Sequence, residues 1–341
     1  MALTIAQIGA GGISRPHLHE FVRNRHVDRV LLADPSEAAR ESLAAEFGII
    51  KRTVNDYEEL LGDPEVAVVD ICTPHFLHHP IAVAALRAGK HVILEKPLAM
   101  NAEQCDDIIA VAQETGKKAF CALCQRMFPA HIKAKQMLDE GAIGRAFLGT
   151  YTCIGNEFPR MNDPESWKGD WEKAGGGALF DTGYHAVYML QHFFGKATAV
   201  TGMTRRLVVE AENKADDTSV VALEMANGAL CNIVVTYSAT GERWQEERRL
   251  VGTEGSLLMR DDPEDEMPLV HFQGPDFTAV KVHNPPRINW YAIGKTVEHF
   301  LDCIVENKDP QITLQEARDA VATVQAAYRS DREGRRVEIG G

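Results

Sequence analysis

The sequence predicts an α/β protein: an N-terminal doubly wound parallel sheet, then a second α/β domain with an open, mostly antiparallel sheet. Three observations carry this. The first third alternates short apolar runs with amphipathic stretches. A glycine-rich loop follows the first apolar run. Past residue 145 the texture changes to strands that alternate apolar and polar residues, with Asn227-Gly228 as a hairpin signal between two of them.

Taken in order, residues 3–8, 29–33, 66–71 and 91–94 are short apolar runs, and 119–124 is a fifth candidate. Such runs suit strands buried on both faces of a parallel sheet. Helices are expected between them at 36–47, 78–88 and 101–115, each stopping at or before a glycine (Gly48, Gly89, Gly116). Strand, helix and strand repeated in this way give a doubly wound domain. In the second region strands are expected at 145–154, 219–225, 229–237, 248–251, 256–259 and 269–272, and amphipathic helices at 288–307 and 314–332. The domains are placed at 1–125 and 126–341.

Composition bounds the function. The 341 residues carry 36 Lys and Arg against 49 Asp and Glu, a net charge of −13. That argues against a nucleic-acid groove or an anionic membrane surface. Seven cysteines make a poor disulfide framework and suit a reducing compartment. No apolar run approaches the ~20 residues of a membrane helix, and the first residues lack a signal-peptide pattern. A cytoplasmic location is the expectation.

Three constellations carry chemistry. In Gly9-Ala10-Gly11-Gly12-Ile13-Ser14 the glycines let the backbone turn tightly against a pyrophosphate, and the helix that follows presents free N–H groups. Asp34 closes the next apolar run, where a dinucleotide fold needs an acid for the adenosine ribose hydroxyls. A carboxylate there favours NAD over NADP, although Arg40 nearby leaves NADP open. In Glu95-Lys96-Pro97 a lysine sits beyond the carboxyl end of a strand, where ligands bind. Burial and a neighbouring nicotinamide cation would both lower its pKa and make it a usable acid/base. In Gly175-Gly176-Gly177-Ala178-Leu179-Phe180-Asp181-Thr182-Gly183-Tyr184-His185, three glycines allow close approach of a ligand or another backbone. Asp181 and His185 are four apart and would share a face of one helix, the Asp orienting the His. Cys121 and Cys124 form a CxxC, but inside an apolar run they read as small buried hydrophobes. Histidines are numerous, yet no His-x-x-x-His with a Glu appears, so no metal is expected.

In this order the pieces resemble the glucose-fructose oxidoreductase / inositol dehydrogenase (Gfo/Idh/MocA) family over nearly the whole chain. The resemblance includes the 9–14 loop, Asp34, Thr73-Pro74 with His78, Glu95-Lys96-Pro97, Arg126, Pro129 and the Trp167-Lys168-Gly169-Asp170-Trp171 segment. It continues through the 175–185 block and the tail around residues 326–337. It implies a Rossmann domain, a second domain with an open antiparallel sheet, and a C-terminal helix (about 314–332) packed back on the first domain. It places Gly9, Gly11, Gly12, Ile13, Asp34, Thr73, Pro74, His78, Glu95, Lys96 and Arg126 around the cofactor, and Lys96, Asp181 and His185 in catalysis. Asn156, Arg160, Trp167 and Trp171, with Asp181 and His185, are the expected substrate-pocket residues. Tyr188, where the family often has Asp, and Lys168, where Arg is common, are departures that bear on substrate identity. The implied activity is NAD(P)-dependent hydride transfer from a secondary hydroxyl of a sugar, glycoside or cyclitol, by a homodimer or homotetramer. The alternatives are an NAD-dependent enzyme that oxidises its sugar only transiently and a non-catalytic cofactor-binding sensor.

Overall fold

A computed structural model describes residues 2–210, 215–262 and 264–340. The chain divides into two units, residues 1–124 with 289–318, and residues 125–288 with 319–341.

The first unit is built on six parallel strands: β1 (Leu3–Ile8), β2 (Val27–Ala33), β3 (Ile50–Val54), β4 (Val66–Ile71), β5 (His91–Leu94) and β6 (Ala119–Cys121). Their order is β3-β2-β1-β4-β5-β6, so the chain reverses direction of winding beside β1. Central strands are apolar on both faces; Ile5, Ala6, Val68, Val69, Val92 and Ile93 are fully buried. The edge strand β3 has no apolar run, because Lys51, Arg52 and Thr53 are exposed, and the hydrophobic pattern does not reveal it. Helices Glu37–Glu46 and Ala102–Thr115 start where Ser36 and Asn101 accept backbone N–H groups, and the latter ends on Gly116 at φ 64°.

The second unit carries a nine-stranded sheet. Its strands are β7 (Ala146–Ile154), β8 (Ala197–Arg205), β9 (Thr218–Met225), β10 (Leu230–Thr236), β11 (Gln245–Gly252), β12 (Ser256–Arg260), β13 (Leu269–Gln273), β14 (Asp276–Ala279) and β15 (Val337–Glu338). Their order is β14-β13-β12-β11-β7-β10-β9-β8-β15. Among the described residues of this sheet only the β7–β10 pair is parallel. One face buries Tyr151, Cys153, Val221, Leu223, Ile233 and Val235.

The C-terminal region is divided between the two units. The helix that joins the first unit is Ile288–Val305, where Phe300 stacks on Phe120 with ring centroids 4.5 Å apart. The final helix, Leu314–Glu333, groups with the first unit only through Arg318 and from Asp319 onward belongs to the second. Its small residues explain this: a Cβ on Gly202 of β8 would lie 2.8 Å from the Ala327 carbonyl oxygen, so helix and strand meet backbone to backbone. From the same helix the Tyr328 hydroxyl donates to Asp216 at 2.6 Å, and both residues are buried. Tyr328→Phe leaves that carboxylate one donor short and is expected to cost ~1–3 kcal/mol, read as a lowered urea midpoint.

Candidate active site

In the first unit the turn after β1 is set by Gly9, at φ 99°; a Cβ there would lie 2.4 Å from the Cys72 carbonyl oxygen. A Cβ on Gly11 or Gly12 would meet nothing within 4 Å, so that side of the loop is open. Ile13 caps the Ser14–Arg23 helix and is exposed. Asp34 lies just past β2, its carboxylate accepting the Ala10 and Ser36 amides, both at 2.8 Å. Arg40 donates to the Asp34 backbone carbonyl. Thr73 and Pro74 follow β4, and the buried Thr73 Oγ1 has no hydrogen-bond partner among the described residues. An open glycine cradle, an oriented carboxylate and an orphaned hydroxyl at the carboxyl edge of the sheet fit a dinucleotide. His78 faces the Pro97 and Thr73 carbonyl oxygens at 2.7 and 3.0 Å and so ties the β4 and β5 loops together. Burial pushes its pKa down.

Behind these loops lies a feature that sequence reasoning missed. The fully buried His17 ring is flanked by two carboxylates, with Nδ1 3.0 Å from Asp70 and Nε2 3.1 Å from Glu95. The second Glu95 oxygen accepts the Lys96 amide at 3.1 Å. Glu95, expected near the cofactor, thus turns inward and braces the backbone that carries Lys96. The Lys96-Pro97 bond is cis. Burial is the largest single influence on His17 and lowers its pKa, but Asp70 and Cys72 together more than offset it and raise the value well above the ordinary 6.5. Burial likewise pushes the Cys72 thiol up to about 12. His17, Asp70 and Cys72 approach within 4.8 Å, but they already bond to one another and to Gln7. Cys121 and Cys124 are buried thiols, as expected.

In the second unit the expected single helix with Asp181 and His185 on one face is two: Ala178–Asp181 and Gly183–Phe194, joined at Thr182. The glycine block is demanded by protein, since a Cβ on Gly177 would lie 1.8 Å from the Asp216 carbonyl oxygen. The Asp216 carboxylate accepts the Gly177 and Leu179 amides at 2.8 and 3.0 Å and holds this corner. Asp181 pairs with Lys168 Nζ at 2.7 Å. Lys168 also lies 3.8 Å from Glu157 and about 6 Å from the rings of Trp167 and Tyr237. His185 Nδ1 lies 2.7 Å from the Tyr188 hydroxyl. Trp171 packs edge-on against Tyr328. Asn156 is exposed and accepts the Phe158 amide. Arg160 is exposed and paired at 3.6 Å with Glu157. Arg126 is half-buried in the turn Cys124–Met127.

Beneath His185 and Tyr188 is a buried ionic network, also unread in the sequence. Arg248, 1% exposed, pairs with Glu246 and Asp261 and stacks 4.2 Å over the Tyr151 ring. Burial opposes ionisation of both carboxyls, yet the guanidinium holds each below its usual range. These residues are scattered over 110 positions of strand and loop, so no local motif announces them.

A parallel sheet with a glycine cradle and an acid after its second strand defines an NAD-binding oxidoreductase domain, and the comparisons agree. The profile described as "Oxidoreductase family, NAD-binding Rossmann fold" (GFO_IDH_MocA) matches residues 3–123, and that of the GFO/IDH/MocA C-terminal domain matches 131–258. The chain belongs to the Gfo/Idh/MocA family of oxidoreductases, and its cofactor is NAD. It is 30% identical over 262 residues to levoglucosan dehydrogenase of Pseudarthrobacter phenanthrenivorans, covering 70% of this chain and 66% of that protein. It is 24% identical over 342 residues to inositol 2-dehydrogenase of Rhizobium meliloti, covering 99% of this chain and all of that one. Among solved structures, levoglucosan dehydrogenase in complex with NADH and levoglucosan superposes with a TM-score of 0.92 at 25% identity, over all of both chains.

His17→Ala leaves two carboxylates buried without their cation and is expected to cost ~3–5 kcal/mol. Because the folded-state pKa of His17 is raised, this contribution is fully present below 6.5 and is lost as pH rises through the folded value. The gap in urea midpoint between wild type and variant should therefore narrow with rising pH.

Proposed function

We propose that this protein is an NAD-dependent dehydrogenase of a secondary hydroxyl on a cyclic sugar, anhydrosugar or cyclitol. The observation that carries the reading is Lys96, held by a braced backbone at the carboxyl end of β5, on the same edge of the parallel sheet as the glycine loop after β1. Bound NAD supplies the hydride acceptor. The protein's own part is positioning and proton handling. Gly9, Gly11 and Gly12 admit the pyrophosphate, Asp34 takes the adenosine ribose, and Thr73 Oγ1 gains the partner it lacks. Lys96 Nζ receives the proton of the substrate hydroxyl as the adjacent C–H bond gives up its hydride. Asp181, oriented by Lys168, and His185 bind substrate hydroxyls. The rings of Trp167, Tyr237 and Trp244, linked through Lys168 and by a Tyr237–Trp244 contact at 5.9 Å, offer apolar wall for the C–H face of a sugar. The similarity to levoglucosan and inositol dehydrogenases supports this substrate class.

The test follows NADH formation with inositols, anhydrosugars, free aldoses and glycosides, with NAD and NADP in parallel. Wild type is expected to reduce NAD with one compound class, and Lys96→Met to lose ~10²–10⁴-fold in kcat. A Lys96 variant with full turnover would overturn the role given to that residue. Turnover with no net NADH, by enzyme that purifies with NAD bound, would overturn net dehydrogenation in favour of transient oxidation.

We further propose a homo-oligomer, in the cytoplasm, assembled through the outer face of the nine-stranded sheet. On that face Leu230 opposes Leu148 and Val220 opposes Met203, and all four are exposed. The buried thiols suit a reducing compartment. No helix among the described residues is long and apolar enough to cross a membrane. Val220→Lys with Leu230→Lys is expected to lower the mass measured by light scattering after size exclusion to that of one chain, 37.6 kDa. An unchanged mass would exclude this face.

A further inference from the structure

Indole is the largest apolar side chain, and a protein that leaves one exposed either tolerates it on a loose loop or uses it. Trp244 is 41% exposed. It is not loose. Its Nε1–H donates to Glu246 at 2.8 Å. The other oxygen of Glu246 is held by Arg248, by the Tyr151 hydroxyl and by Gln125 at 2.9 Å, so the buried ionic network reaches the indole. The ring lies against backbone, since a Cβ on Gly155 would come within 2.4 Å of two of its carbons. Tyr237 flanks it with ring centroids 5.9 Å apart. The indole is thus fixed along one edge and one side while much of its surface meets water.

Its place on the sheet is equally defined. Trp244 immediately precedes β11 and stands two positions before Glu246, so the pleat puts both on one face, as their hydrogen bond requires. Glu246 lies opposite Cys153, on the face that buries Tyr151 and Cys153. The outer face, where Leu148 and Leu230 are exposed, is the other one. The surface proposed above for assembly therefore does not include the indole.

Register sets Trp244 beside the groups proposed for substrate. Ile154 of β7 pairs with Gln245 of β11 on one side and with Thr236 of β10 on the other, so the three chains leave the sheet at one edge. Beyond that edge the Glu157 amide donates to the Tyr237 carbonyl oxygen at 2.9 Å. Lys168 Nζ stands 5.9 Å from the Tyr237 ring and 2.7 Å from Asp181. Tyr237 is 2% exposed, the Asp181–Lys168 pair is half-buried, and the indole is open. A polar pair lies deep and an apolar platform lies at the rim. From Lys168 Nζ the path to the indole centre runs through the phenol in two steps of 5.9 Å, and one six-membered ring hydrogen-bonded at Lys168 covers the first of them.

We propose that Trp244 is the platform of an outer subsite that stacks a second ring, and that the substrate is an O-linked glycoside: a sugar or cyclitol ring at Asp181 and Lys168 carrying a glycosyl or aryl ring that lies on the indole. The C–H face of a pyranose and the π face of an aryl group both pack on indole. Contact so far from the reacting carbon supplies binding energy that a one-ring substrate lacks. The outer subsite stands on contacts within the second unit, and the chemistry at the inner ring rests on the dehydrogenase reading above.

The test sets one-ring against two-ring compounds with the whole enzyme. The first group is D-glucose, D-galactose, their methyl glycosides and myo-inositol; the second is the phenyl glycosides of the two sugars and galactosyl-inositol. With NAD, wild type is expected to use at least one two-ring compound with kcat/KM about tenfold or more above its one-ring counterpart. Trp244→Ala is expected to bring that ratio close to one, and Trp244→Phe, which keeps a ring, to retain most of it. A wild-type ratio near one for every pair, or a ratio that Trp244→Ala leaves unchanged, overturns the proposal. Binding is read without turnover in protein labelled with 5-fluorotryptophan and loaded with NADH, the Trp244 fluorine signal being assigned by its loss in Trp244→Phe. That signal is expected to move with a two-ring compound and much less with its one-ring counterpart. A signal that no two-ring compound moves overturns the proposal, whether or not the Ala variant folds. A signal that shifts only on dilution of the protein assigns the indole to a subunit contact and overturns it as well. A signal that moves with two-ring compounds in an enzyme inactive on all of them overturns the dehydrogenase reading and leaves the outer subsite standing.

Discussion

The row Asp70–His17–Glu95 is the constraint on which the first unit's chemistry depends. It joins the end of β4, the first helix and the end of β5 through one fully buried imidazole. Three charged groups taken out of water are expensive, and apolar side chains of the same volume would stabilise the sheet at least as well. What an ionic row supplies is direction. Each carboxylate has one place to point, and Glu95, once aimed at His17, has its second oxygen left for the Lys96 amide. The strand end that carries the lysine is therefore set by a contact two elements away.

The second unit solves the same problem with a different ion. A buried guanidinium, Arg248, holds two carboxylates and a tyrosine ring, and Gln125 locks onto that assembly. Asp181 is supported separately, by Lys168 and by the corner that Asp216 and Tyr328 build under the glycines. The close approach that those glycines permit is to the protein's own backbone. The Lys96 backbone, Asp181 and His185 thus each rest on polar contacts made within the protein itself, which is the arrangement preorganised catalysis requires.

Local patterns in the chain account for much of this. Apolar runs marked β1, β2, β4, β5 and β6, because strands covered on both faces must be apolar throughout. The Gly9–Ser14 loop and Asp34 marked the edge proposed for the cofactor, because tight turning and ribose binding each demand particular residues. β3 escaped because an exposed edge strand is free to be polar, and the register of the second sheet could not be read because pairing is not a local property. How the final helix divides between the two units could not be read either, since an amphipathic pattern shows that a helix has an apolar face and not what covers it.

The sequence by itself determined the fold class, pointed to a dinucleotide cofactor and nominated candidate residues for its chemistry, since these depend on periodicity and on motifs spanning a few positions. Only the tertiary structure decided how those residues are oriented. It turned Glu95 inward to His17, paired Asp181 with Lys168, and gave His185 a phenol for its neighbour. The partners in question, His17 with Asp70 and Glu95, or Gln125 with Tyr188 and Arg248, come from distant stretches of chain. Hydrogen bonds of a few ångströms between them exist only after both sheets have formed.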